Sequence, residues 1–415
     1  MSGSPSPVST TNKASAGKLA VLMVTAFMDM VGVLMIVPLL PFYAKHMGAG
    51  GFVVGLLVSS FSIAQLLMAP VWGRLSDQYG RRPALIVGMT ASAIAYVIFA
   101  YAGSLWLLFF SRLVQGAGGG TVSVIQAYVA DALEPKDRAK GLGWLSAATN
   151  AGVALGPLLG AVALKWGTPG PGLLAASLSV VNIAFAWKFL TESRDMQEAV
   201  ASRSKPRVPG RSRQAVLRVA SHPNEPASRL IWIYAIAIGA FQGSTAILAL
   251  FLAVRFGVTE RTIGFFFAYI GVLSVVTRAL ILGPAVDRFG EAKLSRAGCT
   301  LLAIGLALLP FMYPAHNPVL TYLPLALAVA LIPLGTAFTF PCVTAMLSRV
   351  VPSSERGLYM GVQQTFGGIS RVIFPVVYGF LFDRVIGLPF VLAAVLVAGT
   401  ILLGLGMESY QTKAA

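Results

Sequence analysis

The chain has 415 residues, of which 56% are hydrophobic and only 11% are charged, and its mean hydropathy is +0.78. A soluble core of this size cannot bury so much apolar surface, so the composition excludes an ordinary soluble domain and predicts a membrane protein. The formal net charge of +16 would suit nucleic-acid binding, but the placement of the cations along the chain argues against that class.

Twelve apolar segments follow one another along the chain, and each is long enough for a helix to cross a hydrocarbon core about 30 Å thick. They predict an all-α membrane protein with twelve transmembrane helices in two pseudo-symmetric six-helix bundles. The predicted spans are residues 18–43, 51–72, 83–102, 105–131, 140–164, 171–190, 230–254, 262–284, 295–314, 318–346, 358–382 and 386–408.

The polar connections divide the chain into two halves. Residues 191–229 form the one long polar interruption, rich in Arg, Ser and Pro, and predict a cytoplasmic linker. The predicted divisions are an N-terminal tail at 1–17, a six-helix bundle at 18–190, the linker, a second six-helix bundle at 230–408 and a tail at 409–415.

Two sets of residues recur in the second half and predict a duplicated chain. One set reappears 210 residues later and the other 218 residues later, so accident is a poor explanation. The first set is Gly73, Asp77 and Gly80 with Gly283, Asp287 and Gly290, and the second is Arg138, Gly143 and Pro157 with Arg356, Gly361 and Pro375. Two homologous halves in a bilayer indicate a transporter with its site between them.

The cations are distributed unequally between the two sides of the membrane. Twelve spans put both termini on one side, and that side carries 22 cations whereas the other carries five. This bias follows the positive-inside rule, so we expect cytoplasmic termini and a multi-pass protein of the cell inner (plasma) membrane. Its surroundings are then membrane lipid, and we expect no nucleic acid as a partner.

Asp29 is the only one of the fifteen acidic residues that falls well within a predicted span. An aspartate at that depth costs about 2.5–3.5 kcal/mol on insertion scales, so we expect it to face a water-filled cavity and to serve a proton or a substrate. The alternative is a structural aspartate that is satisfied by a neighbouring Ser or Arg.

The polar stretch at 73–83 joins the second and third spans and predicts a tight, charged turn. Gly73 and Gly80 allow unusual backbone angles, and Asp77 and Arg81 are close enough to pair with each other or with a neighbouring helix end. The alternative is a solvated loop with arginines that only set the topology.

The order G-x-L-x-D-x-x-G-R-R of this stretch closely resembles a signature of the major facilitator superfamily. The resemblance implies that Asp77 and Arg81 stabilise the outward-open state in a charge network with an acid at the end of the fourth span, which Asp131 matches. The copy at 283–293 has Glu291 in place of the arginine. We therefore expect the gating role only in the first copy.

Two further motifs in the first half are similar to motifs of that family. Arg112, Gln115 and the glycine after it match an R-x-x-Q-G pattern that the family links to proton transfer. Arg112 is the obvious counter-charge for Asp29, through direct contact or through a bridge by water or Gln115. The other motif is a stripe on which a helix can pack closely, and with its proline it resembles the antiporter motif of proton-coupled exporters: Gly152, Gly156, Pro157 and Gly160.

In the second half, Arg278 and Arg371 are the charges within spans, and that half has no deep acid to pair with them. Either could bind an anionic substrate, or could snorkel or bond to backbone carbonyls. Polar and aromatic residues complete a possible substrate cavity: Tyr234, Gln242, Tyr269 and Gln363.

The spacing of Asp29, Gly32, Pro38 and Pro41 resembles helix 1 of the drug:proton antiporters, which include tetracycline exporters and vesicular amine transporters. The resemblance implies a proton-coupled secondary transporter that exports a small amphipathic or drug-like compound, a cation or neutral molecule, by alternating access. One alternative is a metabolite uniporter or proton symporter with an anionic substrate on Arg278 or Arg371. Another is a membrane receptor that transports nothing.

No group of residues in the sequence is a candidate catalytic site, because the sequence contains no GxSxG, HExxH or Walker A motif. We therefore expect no cofactor and no metal, with the proton gradient as the energy source. Cys299 and Cys342 fall within predicted spans and are interpreted as packing residues. The expected partners are a small-molecule substrate, protons and lipid, and we expect a monomer.

Overall fold

The computed structural model describes residues 8–133, 135–193 and 211–408. Within these ranges the regular secondary structure is helical, without a strand. Its α-helices are α1 (Val8–Ile36), α2 (Leu40–His46), α3 (Gly51–Tyr79), α4 (Arg81–Ala100), α5 (Leu105–Gly118), α6 (Thr121–Ala132), α7 (Pro135–Ala163), α8 (Gly170–Phe189), α9 (Arg211–Ser221), α10 (Pro226–Phe256), α11 (Ile263–Val276), α12 (Leu282–Phe289), α13 (Glu291–Leu308), α14 (Pro318–Val350), α15 (Arg356–Arg384) and α16 (Leu388–Leu403).

Ten helical segments of the described chain are long and apolar enough to cross a membrane, and α16 is a shorter apolar helix. The all-helical membrane fold expected from the composition is therefore confirmed. The predicted span at 105–131 is divided between α5 and α6, because the chain turns at Gly119 and Gly120. A second break, at Pro38, separates α1 from α2. Between α11 and α12 the helix widens into a π-helical turn that carries Arg278.

The polar stretch at 73–83 is almost entirely helical, whereas the sequence predicted a turn between two spans. α3 continues to Tyr79, and the turn consists of Gly80 alone, with a φ of 102° that L side chains rarely adopt. The second copy has the same design, since Gly290 (φ 75°) separates α12 from α13. We call the end of the molecule that carries these two glycines the motif end, and the opposite end the distal end.

The two halves of the chain meet through glycines on two pairs of helices. A Cβ atom added to Gly55 of α3 would overlap the carbonyl oxygen of Pro375 in α15, and one added to Gly379 would overlap that of Gly51. Between α7 and α11, Gly264 lies against the carbonyl of Pro157. The absence of side chains at these positions lets the backbones of the two halves touch.

Part of the predicted linker is a helix that packs on the second half. α9 buries Ala215 and Val219, and the indole nitrogen of Trp232 in α10 donates to the carbonyl of Val219 at 3.3 Å. Arg211 pairs with Glu355 at the start of α15 at 2.8 Å. Linker residues 194–210, together with 1–7 and 409–415 of the predicted tails, lie outside the described residues, while α1 begins at Val8 within the predicted N-terminal tail.

Cys299 and Cys342 are both free and buried, as the packing interpretation requires. Cys299 is 2% exposed and contacts the hydroxyl of Thr339.

The glycine contact between α3 and α15 generates a stability prediction. Gly55→Ala should lower the free energy of unfolding by about 1–3 kcal/mol, because the new methyl group overlaps a backbone atom that cannot rotate away. Gly399→Ala is the matched control, since open space surrounds that position of α16. Thermal unfolding of the purified protein in detergent measures both changes. Equal midpoints for the two variants would contradict the tight contact between the halves.

Candidate functional site

Asp29 lies in the first half within α1 and is 6% exposed. Its Oδ2 atom accepts a hydrogen bond from the hydroxyl of Thr121 at 2.9 Å. Thr121 is the first residue of α6, directly after the break at Gly120. A side chain at Gly120 would overlap the ring of Trp72, so glycine is required for the turn that brings the hydroxyl to the carboxylate. The sequence did not indicate Thr121, because its role depends on that turn.

A cavity of about 140 Å³ adjoins Asp29. Since a water molecule occupies ~30 Å³ of liquid, the cavity has room for a few waters, whereas drug-sized ligands need ~300–1,000 Å³. It therefore suits protons and water rather than a whole drug molecule. Its lining consists of Asp29, Met30, Val33, Phe61, Gln65, Ser92, Gln115, Gly119 and Thr121.

Arg112 is buried beside this cavity but does not pair directly with Asp29. Its guanidinium donates to the side-chain oxygen of Gln115 and lies 4.7 Å from the centre of the Phe61 ring. Both partners line the cavity of Asp29. Gln115 and Phe61 thus connect Arg112 to the cavity of Asp29. The buried Tyr96 lies beside Gln115 and close to the charges of Asp29 and Arg112.

The glycine stripe of α7 packs against α1, the helix that carries Asp29. A Cβ atom added to Gly152 would be 2.7 Å from the carbonyl oxygen of Phe27, and one added to Gly156 would be 2.8 Å from that of Val31. One added to Gly160 would overlap the carbonyl of Met35. The expectation that another helix packs closely on this stripe is met, and that helix is α1. Because Pro157 of α7 also touches Gly264 of α11, α7 connects the Asp29 helix to the second half.

Arg81 holds together three elements at the motif end, and its side chain is 9% exposed. It pairs with Asp77 of α3 at 3.0 Å and with Asp131 of α6 at 2.9 Å, and it donates to the Ser76 hydroxyl at 2.8 Å. The structure thus brings together the three charges that the resemblance grouped. All of these contacts lie within the first half.

Glu192, three residues after the end of α8, is a third acidic residue of this cluster, and sequence reasoning missed it. Its carboxylate accepts hydrogen bonds from the backbone N–H groups of Arg81 and Arg82 at 2.9 and 3.0 Å, and so caps the start of α4. A side chain at Gly80 would overlap this carboxylate. Gly80 is therefore needed for its backbone angle and also for the space it leaves.

The second half contains an ion pair in the corresponding place with its charges exchanged. Glu291 stands 210 residues after Arg81, and Arg349 stands 218 residues after Asp131. Arg349 pairs with Glu291 at 2.7 Å, and the Glu291 side chain is 8% exposed. The sequence suggested that the second copy had only lost its arginine. Its charge pattern is instead inverted, and the two repeat offsets together could have indicated this.

At the distal end, Asp383 of α15 caps a helix of the other half. Its two carboxylate oxygens accept hydrogen bonds from the backbone N–H groups of Gly51 and Phe52 at 2.6 and 2.8 Å. The N-cap residue of α3, Gly50, has no side chain to serve this purpose, so the acceptor comes from α15. The sequence placed Asp383 only near the end of a span.

The cavity residues predicted in the second half have different surroundings in this structure. Arg278 donates to the side-chain oxygen of Asn150 in the first half at 2.6 Å. Tyr234 is buried, with its ring centre 5.4 Å from that of Phe340, and Gln242 is half-buried.

Two other predicted cavity residues already have polar partners. The hydroxyl of Tyr269 donates to the Ala326 carbonyl at 3.2 Å. Gln363 is fully buried and accepts a hydrogen bond from Thr344 at 3.4 Å, so in this conformation it faces the protein interior.

Comparison with known proteins gives one consistent family. The family model described as Major Facilitator Superfamily matches residues 22–375 and 279–411. Multidrug resistance protein 2 of Bacillus subtilis (strain 168) is 27% identical over 396 residues, which are 95% of each chain. Tetracycline resistance protein, class C, of Escherichia coli is 29% identical over 382 residues, covering 88% of this chain and 89% of that protein.

Solved transporter structures share the fold. The nucleoside transporter NupG superposes with a TM-score of 0.75 at 14% identity, covering 94% of this chain and 99% of that one. A POT family transporter superposes with a TM-score of 0.76 at 13% identity, covering 96% of both chains.

The inverted pair predicts a rescue by charge exchange. Glu291→Arg or Arg349→Glu alone should destabilise the protein by about 1–3 kcal/mol, because each places like charges together and one of the two positions, that of Glu291, is buried. The double variant Glu291→Arg with Arg349→Glu should recover most of that loss, since it reproduces the polarity of Arg81 and Asp131. Thermal unfolding of the three variants measures the coupling. Strictly additive losses in the double variant would contradict the pairing.

Proposed function

Because the chain belongs to the major facilitator superfamily, it is a membrane transporter, and we propose that it exports small amphipathic or drug-like compounds in exchange for protons. The observation that carries the proton coupling is Asp29, a buried acid next to a cavity of water-sized capacity and held by one hydroxyl. The names of its relatives, which are multidrug and tetracycline resistance proteins, support drug-like compounds as the cargo.

The architecture that goes with this function has twelve transmembrane spans in two six-helix bundles, residues 18–190 and 230–408, joined by the linker. The excess of cations at the motif end supports placing that end, both termini and the linker in the cytoplasm, with the chain in the inner membrane. The protein works as a monomer, without a cofactor and without enzymatic activity, on the energy of the proton gradient.

In the proposed cycle, Asp29 exchanges protons through its cavity and changes its bond to Thr121. The ionised carboxylate accepts the Thr121 hydrogen bond on Oδ2. A proton on Oδ2 turns that oxygen into a donor, so the bond from Thr121 must then reverse or move to Oδ1. Since α1 packs against the glycines of α7, and α7 contacts α11, a shift of α1 reaches the second half by direct backbone contact. Protonation then favours one access state over the other.

The ends of the helices supply the gates. At the distal end, Asp383 holds α3 to α15 and keeps that side closed. With the distal side closed, the central space opens to the cytoplasm at the motif end. Arg81 with its acids and the inverted pair of Glu291 and Arg349 keep the motif end of each half rigid while the halves rock.

The test is drug transport by purified protein in proteoliposomes with an imposed pH gradient. Asp29→Asn should abolish proton movement that accompanies drug flux, because the amide cannot exchange a proton. Thr121→Val should weaken coupling while the protein stays folded, since the change keeps the side-chain shape and removes only the hydroxyl. The exposed Asp287→Asn serves as the control for removal of one carboxylate. Proton-coupled flux that persists in Asp29→Asn would refute the proposal.

A second prediction concerns the distal gate. Asp383→Ala removes both acceptors that cap α3, a loss of ~1 kcal/mol, so the open form of the distal end should become about fivefold more populated. A cysteine at the fully buried Ser59, whose hydroxyl donates to the Val372 carbonyl at 2.7 Å, reports that opening by its labelling rate with an impermeant maleimide. Arg384→Ala is the adjacent control, because its guanidinium stacks on Phe380 of the same helix. Equal labelling rates in both variants would exclude the gate.

A further inference from the structure

The central parts of the helices carry more positive than negative charge. Among the residues that the structure describes, the charged side chains at mid-helix depth are Asp29, Arg112, Arg278 and Arg371. The acid is bonded to Thr121 and forms no ion pair with an arginine of the described ranges. Charges in a nonpolar interior need partners, so each arginine must be satisfied in some other way.

Two of the three arginines have neutral partners inside the protein. Arg112 donates to Gln115 and stacks on Phe61, and Arg278 donates to Asn150 across the halves. Arg371 differs. Within the described ranges it has neither a hydrogen bond nor an ion pair, although more than half of its surface is buried. It is the cation whose partner is missing.

Arg371 cannot reach the aqueous phase along its own helix. It lies 15 residues after the first residue of α15 and 13 before the last. At ~1.5 Å per residue, these separations are about 20 Å on either side, which is farther than an arginine side chain extends. Snorkelling therefore does not satisfy this guanidinium.

The face of α15 that carries Arg371 lies between two neighbouring helices from different halves. Gly367 packs on Tyr234 of α10, whereas Gly368 packs on Leu66 of α3. At ~100° per residue, Arg371 is about 40° around the helix from Gly367 and about 60° from Gly368, so it lies between these two faces. It therefore points toward the space between the halves, where a transporter of this architecture holds its cargo.

We propose that Arg371 binds an acidic group of the transported compound, so that the preferred substrates are amphipathic molecules carrying a carboxylate or a similar anion. This inference rests on the proposed export function and names the charge class of its cargo, in place of the cation or neutral molecule expected from the sequence. A planar guanidinium forms paired hydrogen bonds with a carboxylate, which gives it strength as well as orientation. Asp29 serves the proton and Arg371 the substrate.

The experiment compares a rhodamine free acid with its methyl ester, two dyes that share one ring system and differ in one carboxylate. Wild-type protein in proteoliposomes should transport the free acid in preference to the ester. Arg371→Gln should lower transport of the free acid at least about tenfold and change that of the ester about twofold or less, because only the acid loses a charged hydrogen-bond partner. Arg371→Lys should retain part of the preference, since lysine keeps the positive charge but lacks the paired N–H donors of the guanidinium.

Arg384→Gln is the matched control, because it removes one guanidinium from the exposed end of the same helix. A wild-type preference for the ester, or an equal loss of both dyes in a folded Arg371→Gln protein, would overturn the inference. If the Gln variant does not fold, the preference of the wild type and its reduction in Arg371→Lys decide the question. Proton-coupled, Asp29-dependent export of the ester alone would leave the proposed function standing while refuting the role of Arg371.

Discussion

A polar group in the hydrocarbon core must find its partner within the protein, because lipid offers none. Asp29 meets this requirement through Thr121, which is available only because the chain turns at Gly120. Arg112 meets it through Gln115, and Arg278 meets it through Asn150 of the other half. One turn of the chain and one contact between the halves thus serve to satisfy buried charges. Arg371 is the exception, and its exposure to the central space follows from the same constraint.

The second theme is close approach of backbones. Glycines on α3, α7, α11 and α15 replace side chains where two helices cross, and this occurs both within the first half and between the halves. Such contacts transmit displacement directly, because a carbonyl against a glycine has no rotamer that could absorb it. α7 is central to this arrangement, since one of its faces touches the helix of Asp29 and another touches α11.

The duplication preserved geometry more faithfully than it preserved residue types. Gly80 and Gly290 make the same turn, and each is followed by a charged residue that pairs with the end of a later helix. In the first half the arginine comes first, whereas in the second half the glutamate comes first. An ion pair depends on opposite charges at a fixed separation and not on which partner is acidic. Both pairs therefore join the start of one helix to the end of a later helix in the same way.

The sequence by itself determined the membrane class, the helical character of the chain, the repeat and the identity of the deep acid, because hydropathy and in-span charge are local properties of the chain. It also grouped Arg81 with Asp77 and Asp131 through a resemblance. The tertiary structure alone decided that Asp29 bonds to Thr121, that Glu192 caps α4 and that Asp383 caps α3. These contacts join residues far apart in the chain, and their existence depends on the relative rotation and depth of packed helices, which no local pattern encodes.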